Sequence, residues 1–369
     1  MRTIRIIHAA DFHLDAPFQG LTAAKAAMRR EEQFAMLRNL RELAENADLM
    51  LLAGDLLDSG SARTETGEEL VRQLGLVPCP VVIAPGSSDC CSERSPWLRL
   101  KLPDNVTVFR ERTVRMLQVP SASARVYGAA FTERSSPALL RGFHAERTSD
   151  RYNILCMHGV VGDPGSQYNP ISADDLAASG MDYAALGHCH TASGLQRSGG
   201  CSYAWPGCPE GRGFDECGEK TVYIAELSPD GCRLRTASVA VRQYRSLVLD
   251  ITGKDPLLLI HTSLPDDTVR DVYRVTLTGE AAQAPDLSRL RQNLDEMFFS
   301  LLLSDRTKLP ERVWEQAGED TLRGVFLSKL RALYEGAQSD AEKLRFEQAA
   351  RWGLAALEHG GEVAVHENP

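Results

Sequence analysis

Short apolar runs recur along the first two thirds of the chain, and each is cut off by a small, charged or histidine residue. Residues 4–10 read as a strand that breaks at Asp11-Phe12-His13. Phe34, Leu37, Leu40 and Ala44 then recur at helical spacing, which predicts an amphipathic helix over 23–47. A strand over 48–53 stops at Gly54-Asp55, and a helix near 67–76 leads through Pro78 and Pro80 to a strand over 81–84. That strand ends at Pro85-Gly86-Ser87-Ser88-Asp89. Strands this uniformly apolar, alternating with helices, are buried on both faces, so the pattern predicts a layered α/β core.

The middle of the chain is richer in short alternating strands, at 106–109, 114–119 and 125–129. A helix is expected over 137–147, then a strand over 152–157 ending at His158-Gly159. A polar loop over 162–167 and a helix over 173–179 lead to the apolar run Tyr183-Ala184-Ala185-Leu186, which runs into Gly187-His188-Cys189-His190. A long loop from Ala204 to Asp215 precedes two hairpin-like strands over 221–227 and 232–241. Near residue 245 the texture changes to strand 247–251, helix 257–261, strand 272–277, helix 287–297 and the run 298–303, a small βαβαβ cap. Past Pro310 only helices are expected. Leu322, Val325, Phe326, Leu330 and Leu333 supply an apolar face, and Ser339-Asp340-Ala341-Glu342 is a capping box opening a helix to about Leu357. The expected domains are 1–243, 244–304 and 305–369.

A length of 369 residues supports this division, because a single core rarely grows so large. At 43% hydrophobic and 25% charged residues the chain is globular rather than disordered or fibrous. The net charge of −9 argues against a dedicated nucleic-acid binder, so any DNA contact would rely on local arginines such as Arg110, Arg112, Arg141 and Arg147. No run approaches the length of a membrane span, and the first residues lack the features of a signal peptide. Nine cysteines, an odd number in no compact framework, read as free thiols. A cytoplasmic location is therefore expected.

The residues that follow each buried strand form a set: Asp11 and His13, Asp55, Ser87, Ser88 and Asp89, His158, then His188 and His190. In α/β sheets ligands gather at the carboxyl ends of strands, so these side chains should meet on one rim. Each alone has a plain explanation as a cap or turn residue, but the ordered set is hard to reach by chance. Two carboxylates and four imidazoles suit a pair of divalent ions such as manganese, iron or zinc, the donor set of a two-metal phosphoesterase. His8, inside the first strand, is expected to be a core residue instead.

The motifs Asp11-Phe12-His13, Gly54-Asp55, Gly86-Ser87-Ser88-Asp89, His158-Gly159 and Gly187-His188-Cys189-His190 resemble those of the calcineurin-like metallophosphoesterases. Longer matches, Ala10 to Phe18 and Pro206-Gly207-Cys208-Pro209-Glu210-Gly211-Arg212-Gly213-Phe214-Asp215-Glu216, are similar to the bacterial Mre11/SbcD branch, in particular the YhaO-like DNA repair exonucleases. The resemblance covers about residues 1–300. It implies a metallophosphoesterase β-sandwich flanked by helices and a metal-dependent phosphodiester hydrolase acting on DNA. It also implies an SbcC- or Rad50-like coiled-coil ATPase as partner, docked on the C-terminal helices, and it allows a homodimer.

By this resemblance one ion is held by Asp11, His13, Asp55 and His190. The other is held by Asp55, His158, His188 and an asparagine. Manganese is the expected metal, with iron or zinc as alternatives. Where the family has Gly-Asn-His-Asp, this chain has Gly86-Ser87-Ser88-Asp89. Ser87 then replaces a metal-ligating asparagine, and Ser88 replaces the histidine that serves as general acid, with Asp89 in the orienting position behind it. A hydroxyl is a poor acid near neutral pH, and a general acid is typically worth ~10²–10⁴-fold in rate. The expectation is a weakened second ion and reduced hydrolysis. The alternatives are an inactive metal-binding scaffold that regulates the ATPase and a phosphodiesterase with a small substrate.

Overall fold

The computed structural model describes residues 1–58 and 62–359. The chain divides into two compact units, Met1–Gln243 and a second that begins at Tyr244. In the first unit, β1 (Ile4–Ala9) leads to α1 (Ala23–Leu43), β2 (Leu49–Leu52), α2 (Thr64–Gly75), β3 (Val81–Ile83) and β4 (Val106–Val108). Next come β5 (Arg115–Val119), β6 (Ala124–Gly128), β7 (Tyr152–His158) and the two-residue pair β8 (Val160–Val161) and β9 (Pro170–Ile171). The short α3 (Ala173–Ala178), β10 (Tyr183–Gly187), β11 (Gln196–Ser198), β12 (Cys201–Ala204), β13 (Val222–Ser228) and β14 (Gly231–Ala237) complete it.

Two six-stranded sheets result, ordered β14-β13-β1-β2-β3-β4 and β11-β12-β10-β7-β6-β5. The run β1-β2-β3-β4 is parallel, as is β12-β10-β7-β6, so each sheet presents a row of carboxyl ends at one edge. Alternation along the strands explains the layering. Ile4, Ile6, Leu49, Leu51 and Val82 meet Val126, Ile154, Cys156, Tyr183 and Ala185 between the sheets. The intervening Ile7, Ala9, Met50, Leu52, Val81 and Ile83 pack outward on Met36, Leu37 and Leu40 of α1 and Leu70 and Leu74 of α2. The opposite face of the second sheet is covered by Leu140, Ala145 and Leu176. This is the expected sandwich flanked by helices.

His8 is fully buried, as expected, and it joins the two sheets. Its Nδ1 lies 2.8 Å from the Tyr183 hydroxyl and its Nε2 lies 3.1 Å from the Leu186 carbonyl, both on β10. A carbonyl can only accept, so Nε2 carries the proton and Nδ1 accepts from Tyr183. Burial pushes the imidazole down to about 3, so it is neutral.

The second unit begins with β15 (Tyr244–Asp250), α4 (Pro256–Ser263), β16 (Val272–Thr278), α5 (Leu287–Leu294) and β17 (Ser300–Asp305). Its three strands are parallel in sequence order, which makes the predicted βαβαβ layer. Helices α6 (Glu311–Glu315), α7 (Leu322–Glu335) and α8 (Asp340–His359) follow. The capping box is present in shifted form. Ser339 Oγ accepts from the Glu342 N–H at 3.3 Å, and the Glu342 carboxylate reaches back to the Gln338 N–H at 2.8 Å. Arg351 of α8 lies 3.3 Å from Asp305 at the end of β17, which ties the helices to the sheet within this unit.

Two expectations are corrected. Residues 137–147 are not helical. Their backbone groups are claimed from outside, Leu139 N–H by Asn169 Oδ1 at 2.7 Å and Ala145 N–H by the Ser179 carbonyl at 2.8 Å, while Leu140 plugs the core singly. On α7 the buried residue is Leu327, flanked by Phe326, Leu330 and Tyr334. Leu322, Val325 and Leu333 are exposed instead (73%, 50% and 53%), so the apolar positions are split between two faces. Of the arginines offered to DNA, Arg147 spends its guanidinium on the carbonyls of Met181 and Gly200, and Arg110 bonds the Trp97 carbonyl.

Candidate metal centre

At the carboxyl ends of β1, β2 and β10 the backbone is forced out of its ordinary basins. Asp11, His13, Asp55 and His188 all have positive φ (57°, 45°, 53° and 103°). Such residues cost about 1–3 kcal/mol each and persist only where their surroundings hold them. Asp11 N–H bonds the Gly54 carbonyl at 3.0 Å, and His13 N–H bonds the Asp55 carbonyl at 2.9 Å. The His188 N–H donates to the Asp11 carboxylate, 3.1 and 3.0 Å from its two oxygens. These bonds lace three strand ends together.

Asp89 braces the same rim. Its carboxylate is buried and accepts from the Asp55, Leu56 and Gly86 N–H groups at 3.1, 3.0 and 2.8 Å. Burial and the neighbouring Asp55 push its carboxyl up to about 6. The close approach also accounts for Gly86, where a Cβ would stand 2.3 Å from Asp55 Oδ1 and 2.7 Å from His158 Nδ1.

The side chains that result are concentrated. Asp11, His13 and His190 form one group of potential metal ligands, and Asp11, Asp55 and His158 form a second. Asp55 Oδ2 lies 3.6 Å from both His13 Nε2 and His158 Nε2, which places that oxygen between the two groups. His13 Nε2 and His190 Nε2 face each other at 3.2 Å. His188 stands beside His158, ring centroids 5.3 Å apart, and outside both groups. Ser87 and Ser88 donate their hydroxyls to Asp55 Oδ2 at 3.2 and 3.0 Å, and Ser88 N–H donates to Oδ1 at 2.8 Å.

Outer partners orient two of the rings. His158 Nδ1 donates to the Ala53 carbonyl at 2.9 Å, so in the neutral ring Nε2 carries the lone pair; that atom is buried and has no hydrogen-bond partner. His190 Nδ1 lies 2.7 Å from Glu216 Oε1, which directs its Nε2 inward, whereas His13 Nδ1 has no hydrogen-bond partner and only stands 3.5 Å from Asp58 Oδ1. Three imidazole Nε2 atoms and two carboxylates thus converge on one small space, an arrangement that a cation within it would satisfy. The ionisation equilibria carry the same strain. Burial pushes the Asp11 carboxyl up, with Asp55 adding to it, and burial pushes His188 down to about 4. Burial also opposes charge on Asp55, but His158, His13 and the Ser88 N–H outweigh it and hold that carboxyl low. The donor set of oxygen and imidazole nitrogen fits a pair of divalent ions.

Sequence reasoning missed four contributors. Glu216 and Arg212 lie in a loop whose pattern was visible, but nothing in that pattern aims them at His190. Asp58 is three residues beyond Asp55, with no signal of its own. Tyr168, 42% exposed, lays its ring 5.1 Å from that of His188 at an interplanar angle of 31°, and comes from a loop with no apolar pattern. Conversely, Cys201, Cys208 and Cys217 bond the carbonyls of Ser202, His190 and Phe214 rather than sharing a metal.

Residues 4–192, just over half of the chain, match the family described as calcineurin-like phosphoesterase. The chain is 30% identical over 238 residues to the uncharacterized metallophosphoesterase YhaO of Bacillus subtilis (strain 168), covering 61% of this chain and 58% of that one. It is 27% identical over 266 residues to the DNA double-strand break repair protein Mre11 of Aeropyrum pernix, covering 67% of this chain and 64% of that one. The chain thus spans less than two thirds of either relative's length. The crystal structure of TT1561 of Thermus thermophilus is similar over 64% of this chain and 100% of that one, at 15% identity and a TM-score of 0.41.

Proposed function

The chain belongs to the calcineurin-like phosphoesterases, and from that membership we propose that it hydrolyses phosphodiester bonds in DNA, slowly, at a two-ion centre. One ion would be held by Asp11, His13, Asp55 and His190, the other by Asp55, His158 and His188 with weak help from Ser87. The observation that carries this reading is the convergence of the His13, His158 and His190 Nε2 atoms on Asp11 and Asp55. Such ions supply a nucleophilic water at neutral pH and charge stabilisation for the leaving oxygen. Manganese is the metal proposed.

The protein's own residues set the limits. No imidazole occupies the position of Ser88, whose hydroxyl donates to Asp55. A leaving alkoxide therefore lacks a side-chain acid there, which costs ~10²–10⁴-fold. Asp55 Oδ2, the oxygen between the two ligand groups, already accepts from both serine hydroxyls, so the ion on the His158 side must compete with them. DNA as substrate is supported by the similarity to the Aeropyrum DNA double-strand break repair protein. A coiled-coil ATPase of SbcC or Rad50 type is the proposed partner, supported by the exposed Leu322, Val325 and Leu333 on α7, which an amphipathic partner helix could cover.

The same serine hydrogen bonds favour a second reading, a metal-binding scaffold without turnover. The paired substitution Ser87→Asn with Ser88→His separates the two. Mn²⁺-dependent cleavage of single- and double-stranded DNA, with bis(p-nitrophenyl) phosphate as the small substrate, should be slow in the parent and rise by ~10²-fold or more in the double variant. Cleavage that stays at background in both proteins sinks the nuclease reading and leaves the scaffold. A rise for the small diester alone points to a small substrate.

A further inference from the structure

Glu216 is buried and saturated with donors. Its Oε1 accepts from His190 Nδ1 at 2.7 Å and from Arg212 Nη2 at 2.6 Å. Its Oε2 accepts from the Arg212 backbone N–H at 2.9 Å and from Arg212 Nε at 3.2 Å. A carboxylate held at four points cannot rotate away, and a bidentate arginine is the strongest common clamp on one. Among the cluster histidines, His190 is the one whose Nδ1 hydrogen-bonds a carboxylate; His158 leans on a neutral carbonyl. Arg212 Nη2 also stands 3.3 Å from the same Nδ1. Arginine only donates, so without Glu216 it would select the opposite ring tautomer.

We propose that Glu216, clamped by Arg212, is a positioning residue for His190: it holds the ring as the Nδ1–H tautomer, with Nε2 turned toward His13 and Asp11, and so sets the affinity of the ion on that side. The affinity half rests on the two-ion reading above; the tautomer half does not, because the ring can be read without metal. A group that orients a metal-ligating histidine is typically worth ~10–100-fold in affinity. It makes the His13/His190 side the tighter of the two.

The test uses the full chain. Long-range ¹H–¹⁵N spectra of the metal-free protein should show His190 as Nδ1–H, and Glu216→Ala should convert it to Nε2–H. Mn²⁺ titration should show the tighter site weakened by ~10–100-fold in Glu216→Ala, and nearly unchanged in Glu216→Gln, whose amide oxygen still accepts. The double variant Glu216→Ala with Arg212→Ala should bind Mn²⁺ better than Glu216→Ala alone, because the misdirecting donor is gone. A merely structural brace predicts the reverse order and equal melting losses for Gln and Ala. An Nε2–H ring in the parent, or an unchanged Mn²⁺ constant in a folded Glu216→Ala protein, overturns the proposal. If Glu216→Ala does not fold, the parent spectrum and Glu216→Gln still decide it. A parent with the Nδ1–H ring that takes up no Mn²⁺ overturns the two-ion reading and leaves the positioning of the ring standing.

Discussion

His8 lies on β1, the strand that leads to Asp11, and its environment allows an acid-stability prediction with a definite sign. Its two hydrogen bonds cross from β1 to Tyr183 and Leu186 on β10, so the ring sets the spacing of the strand ends that carry Asp11 and His188. The neutral ring is required, since Nδ1 must accept from Tyr183. Burial depresses its folded value to about 3, against about 6.5 in an unfolded chain. The unfolded state therefore binds the extra proton first. The contribution of His8 is fully present above pH 6.5 and is lost as the pH falls toward 3. Each unit below 6.5 removes about 1.4 kcal/mol, so about 2 kcal/mol is gone by pH 5. His8→Leu removes this dependence but leaves the Tyr183 hydroxyl and the Leu186 carbonyl buried without partners, at about 1–3 kcal/mol each. Urea unfolding of parent and variant at pH 8 and pH 5 should show the variant weaker at pH 8 by about 2–6 kcal/mol, with the gap about 2 kcal/mol smaller at pH 5. Mn²⁺ affinity should fall in the variant, because the two rims lose their common rivet. Parallel pH profiles for the two proteins would refute the buried neutral imidazole.

Three further outcomes are expected. Gly86→Ala forces a methyl to within 2.3 Å of Asp55 Oδ1 and should abolish tight Mn²⁺ uptake, whereas Gly142→Ala, with positive φ (69°) but open space, should cost only about 1 kcal/mol of backbone strain. Metal removal by chelation should lower the melting temperature, since Mn²⁺ at about a hundred times its dissociation constant adds about 2.7 kcal/mol; identical melting curves with and without Mn²⁺ would count against an ion in the cluster. Leu327→Ala should cost about 2–5 kcal/mol in the unfolding of the second unit, while Leu322→Ala on the exposed side of α7 should change it by less than about 0.5 kcal/mol; equal losses would show that the two faces had been assigned wrongly.

Much of the fold was legible because local patterns were strong. Runs such as Leu49-Met50-Leu51-Leu52 can lie only in a strand covered on both faces, and the residues that end such runs mark the functional rim of a parallel sheet. That reasoning placed Asp11, Asp55, His158 and His188 at strand ends, and it found the βαβαβ layer. It failed where a periodic pattern had no helix to build. Leu139, Leu140 and Phe143 look helical, but Asn169 and Ser179, distant in sequence, take the Leu139 and Ala145 N–H groups that a helix would need. It failed again on α7, where burial depends on which face the α6 and α8 residues cover.

By itself, then, the sequence determined the layered architecture, the ordered set of strand-end ligands and the serine pair that departs from the family. Those are properties of local periodicity and of residue identity at chain breaks, which survive without knowledge of neighbours. Only the tertiary structure decided how the ligands face one another. The orientations of His158 and His190 follow from the Ala53 carbonyl and Glu216, and the occupation of Asp55 follows from Ser87 and Ser88. A ring nitrogen carries a lone pair or a proton according to what touches the other side of the ring, and that contact is made across folds of chain that no local pattern records.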